Sequence, residues 1–547
     1  MQGLNQDYPL ILSTVLEHAA ANFADVPVVS YSQGEVTRYD YGRMAARARR
    51  LGSVLTTQAP AQGSDHFVGS LAWNTHRHLE LFYGASGIGA VLHTANPRLA
   101  PDQIVYTINF TGYRTLFIDP DTVALAEQIL PRLEHVDRFV IMAARDHMPA
   151  TSLPGVVCYE DLIDAGDANF RWPDLDERAA CGLCFTSGTT GVPKGALYSH
   201  RGTVLSALST GGGNAWALSA DDAILALPGF FHCNGWGIPF LAPMFGSKLV
   251  MAGRRMDTAF IHELILDEGI TVGPAVPTIW MDLLDHCQHT GHGRSLGRLN
   301  RLFTGGTAPP AAMIETYLRQ HNVRTHHAWG MTETTHGATF TFAGRHVVDD
   351  AAIATMRTQG KPAYGNEIRI VDEAGGALPK DGKTPGHLQS RGHWNASAYF
   401  RRPDVTVETE DGWMTTGDVA VIDTDNTLHI VDRAKDVIKS GGEWISSPAL
   451  EEAACRHASV QEAAVLAIPH PRWQERPLLI LVPRAGMAVT AEEMQNHLMP
   501  LIPKWWLPDA IASVPELPHG PTGKVQKDTL RQWLRDGRIV LVPPPLG

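Results

Sequence analysis

Hydrophobic positions in the N-terminal part of the chain follow two alternating spacings. Apolar residues recur at helical spacing over residues 10–23, 44–55 and 77–89, as on one face of an amphipathic helix. Short apolar runs between them predict strands, namely residues 28–31 and 36–39, which form a hairpin, and then 67–71, 115–118 and 138–142. Alternating strands and helices are typical of a mostly parallel sheet covered on both faces. The pattern therefore predicts an α/β fold.

A run of small polar residues interrupts this pattern at residues 186–195, Thr-Ser-Gly-Thr-Thr-Gly-Val-Pro-Lys-Gly, after an apolar run at 181–185 that predicts a buried strand. Its glycines let backbone amides face an anion, its hydroxyls are further donors, and Lys194 adds a positive charge. This composition predicts a polyphosphate-binding loop, the alternative being a surface loop of turn formers. A Walker loop requires Ser or Thr after the lysine, whereas Lys194 is followed by Gly195.

The loop resembles the Ser/Thr/Gly-rich signature of the adenylate-forming superfamily, which contains acyl-CoA synthetases, firefly-type luciferases and peptide synthetase adenylation domains. The resemblance implies that the loop holds the β- and γ-phosphates of ATP while pyrophosphate leaves. The implied cofactor contacts are Thr186, Ser187, Gly188, Thr189, Thr190 and Lys194, with Thr189 also near the metal.

Composition restricts the class of protein. The chain has 547 residues, 44% of them hydrophobic, and a net charge of −12, with a pI near 6.1. Its length predicts at least two domains, and its acidity argues against a nucleic-acid-binding face. Because no basic-then-apolar leader or long apolar run is present, we expect a cytoplasmic enzyme without stable membrane insertion. Scattered cysteines predict reduced thiols, and Cys181 and Cys184 fit a strand better than a redox or zinc site.

Residues 226–237 combine apolar bulk with His232, Asn234, Trp236 and three glycines, which predicts a lined cavity. The segment resembles the aromatic-histidine segment of the superfamily, which implies that His232 and Trp236 flank an acyl pocket with Gly235, Gly306 and Gly337. Packing of the Trp and His in the core is the alternative.

Three histidines, 286, 289 and 292, together with Cys287, have metal-like spacing. They precede a glycine-rich turn and lack an obvious second shell of hydrogen-bonding partners. We therefore predict a solvated loop and no metal site.

Two further segments, residues 302–310 and 327–335, contain glycines and candidate nucleotide contacts. Residues 302–310 predict a strand, a Gly turn and a helix starting near Ala311, a geometry that lets a flat ring approach the backbone. Residues 327–335, His-Ala-Trp-Gly-Met-Thr-Glu-Thr-Thr, resemble the Tyr-Gly-x-Thr-Glu signature, with Trp in place of Tyr. The resemblance implies nucleotide contacts from Gly305, Gly306, Thr307, His327, Ala328, Trp329 and Gly330, an α-phosphate contact from Thr332, and Mg²⁺ on Glu333. One carboxylate with phosphate oxygens and water suits that ion.

The C-terminal part contains three further resemblances. Asp418, in Thr-Gly-Asp, can accept both ribose hydroxyls with its two oxygens. The segment from Ile430 resembles the interdomain hinge, with Arg433 on the ribose and Lys435 as the pivot, although a charged surface turn is the alternative. Lys524 matches the catalytic lysine near the C-terminus. The remaining implied contacts, which face CoA, are Lys439, Gly441, Gly442, Glu443 and Trp444.

Five ordered signatures imply an α/β protein with two domains. The large N-terminal domain, 1–434, is expected to consist of stacked, mostly parallel sheets covered by helices, and 435–547 to be a small mobile α+β domain. His387, where Glu is usual in the family, is expected to be structural.

The implied activity is that of an ATP-, Mg²⁺- and CoA-dependent acid-CoA ligase, most similar to medium- and long-chain fatty acyl-CoA synthetases and methylmercaptopropionate-CoA ligases. Catalysis would depend on Lys524, Glu333, Thr332 and His232, with a small carboxylic acid as substrate and a homodimer as the expected assembly. A short-chain acid ligase, a luciferase-like oxygenase and a non-catalytic nucleotide-binding regulator are the alternatives.

Overall fold

The structure is a computed structural model that describes residues 1, 3–32, 34–57, 66–186, 192–289, 295–341, 349–441, 443–520 and 524–541. The described residues divide into two compact units. The first contains residues up to 186, 192–367 and 390–414, and the second contains 368–389 and 415 onward.

Two large sheets form the first unit. Within the described residues, one has seven strands in the order β7-β6-β5-β3-β4-β8-β9, parallel except for the β8–β9 pair. Its strands are β3 (Phe67–Leu71), β4 (Val91–Ala95), β5 (Thr115–Ile118), β6 (Arg138–Ile141), β7 (Val156–Cys158), β8 (Ala180–Phe185) and β9 (Gly195–Ser199).

The other large sheet has nine described strands in the order β16-β15-β14-β13-β12-β10-β11-β1-β2, with a parallel centre from β14 to β1. Its strands are β1 (Pro27–Ser32), β2 (Glu35–Asp40), β10 (Ala223–Ala226), β11 (Lys248–Met251), β12 (Val272–Pro274), β13 (Arg301–Thr304), β14 (Arg324–Trp329), β15 (Thr339–Phe340) and β16 (Lys361–Pro362).

Helices of the first unit bury apolar faces against these sheets. Local chemistry sets their ends: the Asp40 carboxylate accepts from the Arg43 amide at 2.8 Å at the start of the helix Tyr41–Thr56, and the helix Pro101–Thr111 starts at a proline and is followed by Gly112, whose φ is 81°. The helices are α1 (Leu12–Asn22), α2 (Tyr41–Thr56), α3 (His76–Ser86), α4 (Pro101–Thr111), α5 (Val123–Ile129), α6 (Tyr159–Ala165), α7 (His200–Gly211), α8 (Cys233–Trp236), α9 (Ile238–Phe245), α10 (Thr258–Asp267), α11 (Pro277–His289), α12 (Ala311–His321) and α13 (Asp350–Arg357).

The second unit contains most of two smaller sheets, of which residues 366–367, 390–392 and 414 are counted with the first unit. Its strands are β17 (Asn366–Val371), β18 (Gly386–Gly392), β19 (Met414–Ile422) and β20 (Leu428–Arg433) in one sheet, and β21 (Ile438–Ser440), β22 (Glu443–Ile445), β23 (Val460–His470), β24 (Gln474–Pro483) and β25 (Ala510–Ser513) in the other. Its helices are α14 (Ser447–Cys455), α15 (Ala491–Leu498) and α16 (Lys527–Arg535).

The sequence pattern correctly predicted the fold class and the N-terminal elements. The prediction of a loop at His286, Cys287 and His289 was wrong, because α11 continues through all three and buries Cys287 on its apolar face. Cys181 and Cys184 lie in the buried strand β8, as predicted. No described helix is long and apolar enough to cross a membrane.

The compact units differ from the sequence-based domains in one respect. Residues 368–389 and 415–434 belong to the second unit. Within 415–434, strand β20 is bonded to the start of α14, because the Ser447 amide donates to the Asp432 carboxylate at 2.9 Å. The division into compact units does not describe motion, so the hinge at Lys435 remains a prediction.

Candidate active site

The carboxyl ends of three parallel strands of the nine-stranded sheet lead into the predicted site segments. Residues 227–237 follow β10, 305–307 follow β13 and 330–337 follow β14, so all three reach the same edge of the sheet. Gly305 lies close to residues of two other strand-end segments. A Cβ at this position would lie 3.3 Å from the Ala328 carbonyl oxygen and 3.5 Å from Cη2 of Trp236. A side chain at this position would therefore be tightly packed and would fill space at the strand ends.

The aromatic-histidine segment ends in a left-handed turn. The φ angles of Cys233, Asn234, Gly235, Trp236 and Gly237 are 41°, 39°, 59°, 56° and 81°. Consecutive non-glycine residues in this region cost about 1–2 kcal/mol each. A strained turn of this kind persists only when its surroundings hold it, and such strain is typical of functional sites.

Asn74 is one of the groups that hold this segment. Its buried side-chain amide donates to the carbonyls of Ala226 and Pro228 at 2.9 and 2.8 Å, and its oxygen accepts from the Phe230 amide at 2.7 Å. Sequence reasoning did not identify this role, because a lone asparagine 152 residues before Ala226 has no local pattern.

Cys184 and Thr332 hold the other side of the turn. The Cys233 amide donates to Sγ of Cys184 at 3.2 Å, and Sγ of Cys233 lies 3.5 Å from Oγ1 of Thr332. The Tyr198 hydroxyl donates to the Thr332 carbonyl at 2.6 Å. Burial raises the pKa of Tyr198, so this hydroxyl keeps its proton. The strands beside the phosphate loop are therefore bonded to the predicted α-phosphate residue.

Glu333 and Lys194 both contact Tyr399. The Tyr399 hydroxyl donates to a carboxylate oxygen of the buried Glu333, and the Lys194 ammonium lies 5.2 Å from the centre of the Tyr399 ring. The Phe400 amide donates to the Gly195 carbonyl at 2.8 Å, and the Ala396 amide donates to the Glu333 carbonyl at 2.7 Å. Residues 396–400 thus bring the phosphate-loop lysine and the predicted metal ligand to one tyrosine. Tyr399 belongs to no motif used in the sequence analysis.

The donor set around Glu333 fits Mg²⁺ bound together with a nucleotide. Among the described residues, no group of three or more His, Cys, Asp or Glu side chains is placed to hold a metal ion. Mg²⁺ characteristically takes one or two carboxylates and completes its shell with phosphate oxygens and water. Glu333, oriented by Tyr399, would be the protein anchor.

Removing the Tyr399 hydroxyl tests this arrangement. We expect Tyr399→Phe to lower Mg²⁺-dependent pyrophosphate exchange by about 10–100-fold, the usual effect of losing a group that orients a metal ligand, and Glu333→Gln to lower it further. A Mg²⁺ titration measures both, with Tyr364→Phe, at a 92% exposed tyrosine of the same unit, as the control. An unchanged Mg²⁺ dependence in both variants would place the ion elsewhere.

The predicted adenine side lies along β13 and β14. Gly306 and Thr307 are exposed, and Gly306 has a φ of 85°, while Trp329 is buried at the end of β14. His327 is enclosed: its ring nitrogen Nδ1 lies 3.4 Å from the Arg357 carbonyl, and burial lowers its pKa to about 4. Gly330 and Gly337 nearly touch, since a Cβ on Gly330 would lie 2.8 Å from Cα of Gly337.

The second unit positions the predicted ribose residues by itself. Asp418 on β19 faces Arg433 on β20 across an antiparallel pair, with Nε of Arg433 2.9 Å from the Asp418 carboxylate. Ile430 lies on the same strand as Arg433. A buried carboxylate with one oxygen on a guanidinium can still accept hydroxyl hydrogen bonds.

The predicted CoA-facing residues that the structure describes lie in and beside the antiparallel strands β21 and β22 of the second unit. Gly441 has a φ of 63°, its amide donates to the Trp473 carbonyl at 2.9 Å, and a Cβ there would lie 2.8 Å from the Trp473 ring. Lys439 pairs with Glu373 at 2.8 Å, Glu443 is exposed, and Trp444 lies beside His387 with ring centres 5.7 Å apart.

Lys524 is exposed and directly precedes Val525, which forms an isolated antiparallel β-bridge with His519. Its carbonyl accepts from the Gly520 amide at 2.7 Å, so the backbone positions this residue. The candidate residues that lie outside the described part of the chain are Ser187, Gly188, Thr189, Thr190 and Gly442, together with His292.

Comparisons with known proteins identify relatives of this chain. Residues 16–400 match the family model of the AMP-binding enzymes, and residues 449–524 match the AMP-binding enzyme C-terminal domain. The chain is 43% identical to a 3-methylmercaptopropionyl-CoA ligase of Ruegeria pomeroyi, over 98% of this chain and 99% of that protein. It is 42% identical to a medium-chain-fatty-acid–CoA ligase of Ectopseudomonas oleovorans, over 98% of each.

Solved structures give the same fold. The crystal structure of the anthranilate CoA ligase AuaEII in complex with anthranoyl-AMP superposes with a TM-score of 0.84 at 23% identity, over 97% of this chain and 99% of that chain. At this identity the likeness concerns the fold alone, and it confirms the predicted α/β architecture.

Proposed function

Because this chain belongs to the AMP-binding enzyme family, we propose how its residues perform the ligase reaction and which acids it uses. It is an AMP-forming acid-CoA ligase that uses ATP, Mg²⁺ and CoA. Its substrate is proposed to be a medium- or long-chain fatty acid, or alternatively a methylmercaptopropionate-type or other short-chain acid.

In the first half-reaction, the substrate carboxylate attacks the α-phosphorus of ATP, and the bond from that phosphorus to the β-phosphate oxygen breaks. Lys194 and its loop hold the departing pyrophosphate, and Thr332 and Lys524 donate hydrogen bonds to the α-phosphate oxygens as negative charge develops. Glu333 would hold Mg²⁺, which supplies positive charge beside the phosphates when it is bound. Asp418 and Arg433 hold the ribose, while the backbone at 305–307 and Trp329 accept the adenine.

In the second half-reaction, the CoA thiol attacks the acyl carbonyl carbon and loses its proton as the thioester bond forms. The bond from that carbon to the phosphate oxygen breaks, and AMP leaves. We propose that the C-terminal domain turns about Lys435, withdrawing Lys524 and presenting the β21–β22 hairpin. Gly441 and Gly442 would leave room for pantetheine beside Trp444. His232 would act at the acyl end of this site.

The observation that best supports the proposal is the meeting of Lys194 and Glu333 at Tyr399, since it puts a phosphate-binding cation beside a metal-binding carboxylate. A coupled assay of AMP release over a panel of carboxylic acids, with and without CoA, tests it. We expect CoA-dependent AMP release with at least one acid. Oxygen consumption in place of thioester formation would support a luciferase-like oxygenase, and nucleotide binding without AMP release would support a regulator.

Trp236 is proposed to limit the length of the acyl chain, because it is half-buried beside Gly305 in the strained turn. We expect Trp236→Ala to shift the preferred chain length, since each methylene in an apolar pocket is worth roughly 1 kcal/mol. The relative kcat/KM for alkanoates of increasing length measures the shift, with Trp533→Ala in the second unit as the control. A profile of unchanged shape would place the acyl chain elsewhere.

We further propose a cytoplasmic homodimer that does not bind nucleic acid. The net charge of −12 supports the absence of nucleic-acid binding, because a negatively charged protein repels the phosphate backbone.

A further inference from the structure

Three side chains in the first part of α16 face the segment proposed as the hinge. Lys527, Asp528 and Arg531 share one side of this helix, because positions three and four residues apart are neighbours on a helix surface. Directly or through Ser447, their bonds reach the chain on both sides of Lys435. One face of α16 is therefore connected to both ends of the proposed hinge.

Arg531 makes the contacts at the pivot itself. Its Nη1 donates to the Asp528 carboxylate at 2.7 Å, and its Nη2 donates to the Lys435 carbonyl at 3.1 Å and to the Asp436 carboxylate at 2.5 Å. The Asp436 side chain is 11% exposed and that of Arg531 is 24% exposed, so solvent screens this ion pair less than a surface pair. A guanidinium presents its donors in a fixed planar fork. Arg531 therefore fixes the direction of the Lys435 carbonyl relative to the Asp436 side chain.

Lys527 connects the same helix to the chain before the pivot. Its ammonium pairs with Glu451 at 2.7 Å and donates to the Ser447 hydroxyl at 2.5 Å. The Ser447 amide in turn donates to the Asp432 carboxylate at 2.9 Å. Asp432 belongs to β20, the strand that leads into the hinge, so α16 is bonded to that strand through one intervening residue.

The proposed catalytic lysine lies close to the N-terminal end of α16. Lys524 precedes this helix, and the Gln526 amide between them donates to the Pro518 carbonyl at 2.7 Å, which holds the connecting backbone. Because the peptide group is planar, a change in ψ at Lys435 turns its carbonyl away from Arg531. Rotation at the pivot therefore breaks a bond to the helix that follows the catalytic lysine.

We propose that Arg531 is a positioning residue that holds the hinge in the observed state and thereby sets the balance between adenylation and thioester formation. This inference rests on the proposed function, since it assigns control of the rotation proposed there. Arg531 acts through the Lys435 carbonyl and the Asp436 carboxylate. The rotated state lacks the bond to that carbonyl, so loss of the Arg531 side chain favours the rotated state.

Hydrogen exchange at the hinge tests the contact without substrates. The amides of Asp436 and Val437 donate to the Arg433 carbonyl at 2.9 and 2.8 Å, and they exchange when this turn opens locally. We expect Arg531→Ala to speed their exchange about tenfold, because a hydrogen bond from a charged group is lost. Arg531→Lys keeps the charge but not the planar fork, so it should have a smaller effect. Unchanged exchange in Arg531→Ala would overturn the inference.

The two half-reactions test the consequence of the contact. At limiting substrate, each rate is proportional to the fraction of enzyme in its competent state. The ratio of pyrophosphate exchange to single-turnover thioester formation from supplied acyl-AMP therefore follows the balance of the two states. We expect Arg531→Ala to change this ratio about tenfold, against the half-reaction that uses the observed state. A merely structural role would lower both rates by the same factor and leave the ratio unchanged.

Arg535→Ala is the matched control, because Arg535 lies on the same helix, is exposed, and donates to the Gln532 side chain at 2.6 Å. This variant should keep the wild-type exchange and the wild-type ratio. A ratio that Arg531→Ala does not change, or that Arg535→Ala changes equally, would contradict the role assigned to Arg531. Absence of both half-reactions in the wild type would instead overturn the proposed function and the inference with it, whatever the exchange experiment shows.

Discussion

Replacing Lys524 with alanine is expected to lower acyl-AMP formation by roughly 10²–10³-fold, the typical cost of removing one donor to a developing negative charge. The same variant should convert supplied acyl-AMP and CoA to thioester at nearly the wild-type rate, because the lysine is proposed to contact only the first transition state. Pyrophosphate exchange measures the first half-reaction, and single-turnover thioester formation measures the second.

The structure makes Lys524 a favourable position for this test. Its side chain is exposed and its backbone is held by the Gly520 amide, so alanine leaves the local backbone bond in place. Lys383→Ala, at another exposed lysine of the second unit, controls for the loss of a positive charge. Equal losses in the two half-reactions would remove Lys524 from its assigned role.

Lys435→Pro is expected to separate the two half-reactions. A pivot must change its backbone torsions between two states, whereas proline fixes φ near roughly −65°. If the fixed state is the adenylating one, pyrophosphate exchange persists while CoA-dependent turnover falls by at least about 10²-fold. Retained exchange also shows that the variant is folded.

The contacts of Lys435 define the control. Among the described residues, no acceptor is found for its amide, so proline removes no backbone hydrogen bond in the observed state. Its ammonium pairs with Asp528 at 2.8 Å, and both side chains are well exposed, so this pair contributes little to stability. Lys435→Ala removes the pair but keeps the torsional freedom, and it should support both half-reactions. Near wild-type rates in Lys435→Pro would exclude rotation at this residue.

Turning at Lys435 would also exchange specific bonds within the second unit. The Ser446 hydroxyl donates to the Val431 carbonyl at 2.6 Å, and Asp432 accepts from the Ser447 amide. Both join β20 to the start of α14, across the proposed pivot. The observed state is therefore stabilised by contacts that a second state must replace.

The sequence by itself determined the features that depend on local spacing. Helical and strand periodicity predicted the N-terminal elements, because the period of apolar residues reflects which face is buried. Ordered glycine, hydroxyl and charged signatures predicted the family and the ATP-dependent ligase chemistry, because each is proposed to bind its ligand largely through consecutive residues. The same local reasoning failed at His286 and His289, where the glycines that follow suggested a loop. Burial of Leu283 and Cys287 extends the helix through them.

Only the tertiary structure decided how the site is held together. Tyr399 meets Glu333 from 66 positions away, and Asn74 holds Phe230 from 156 positions away. Neither pairing has a sequence period, since each joins segments that only the fold brings together. Asn74 follows β3 of the seven-stranded sheet, whereas Phe230 follows β10 of the nine-stranded sheet. The left-handed turn at 233–237 likewise arises from packing that overrides local backbone preference. The kind of chemistry therefore follows from local spacing, while the arrangement of the site follows from contacts that only the folded chain creates.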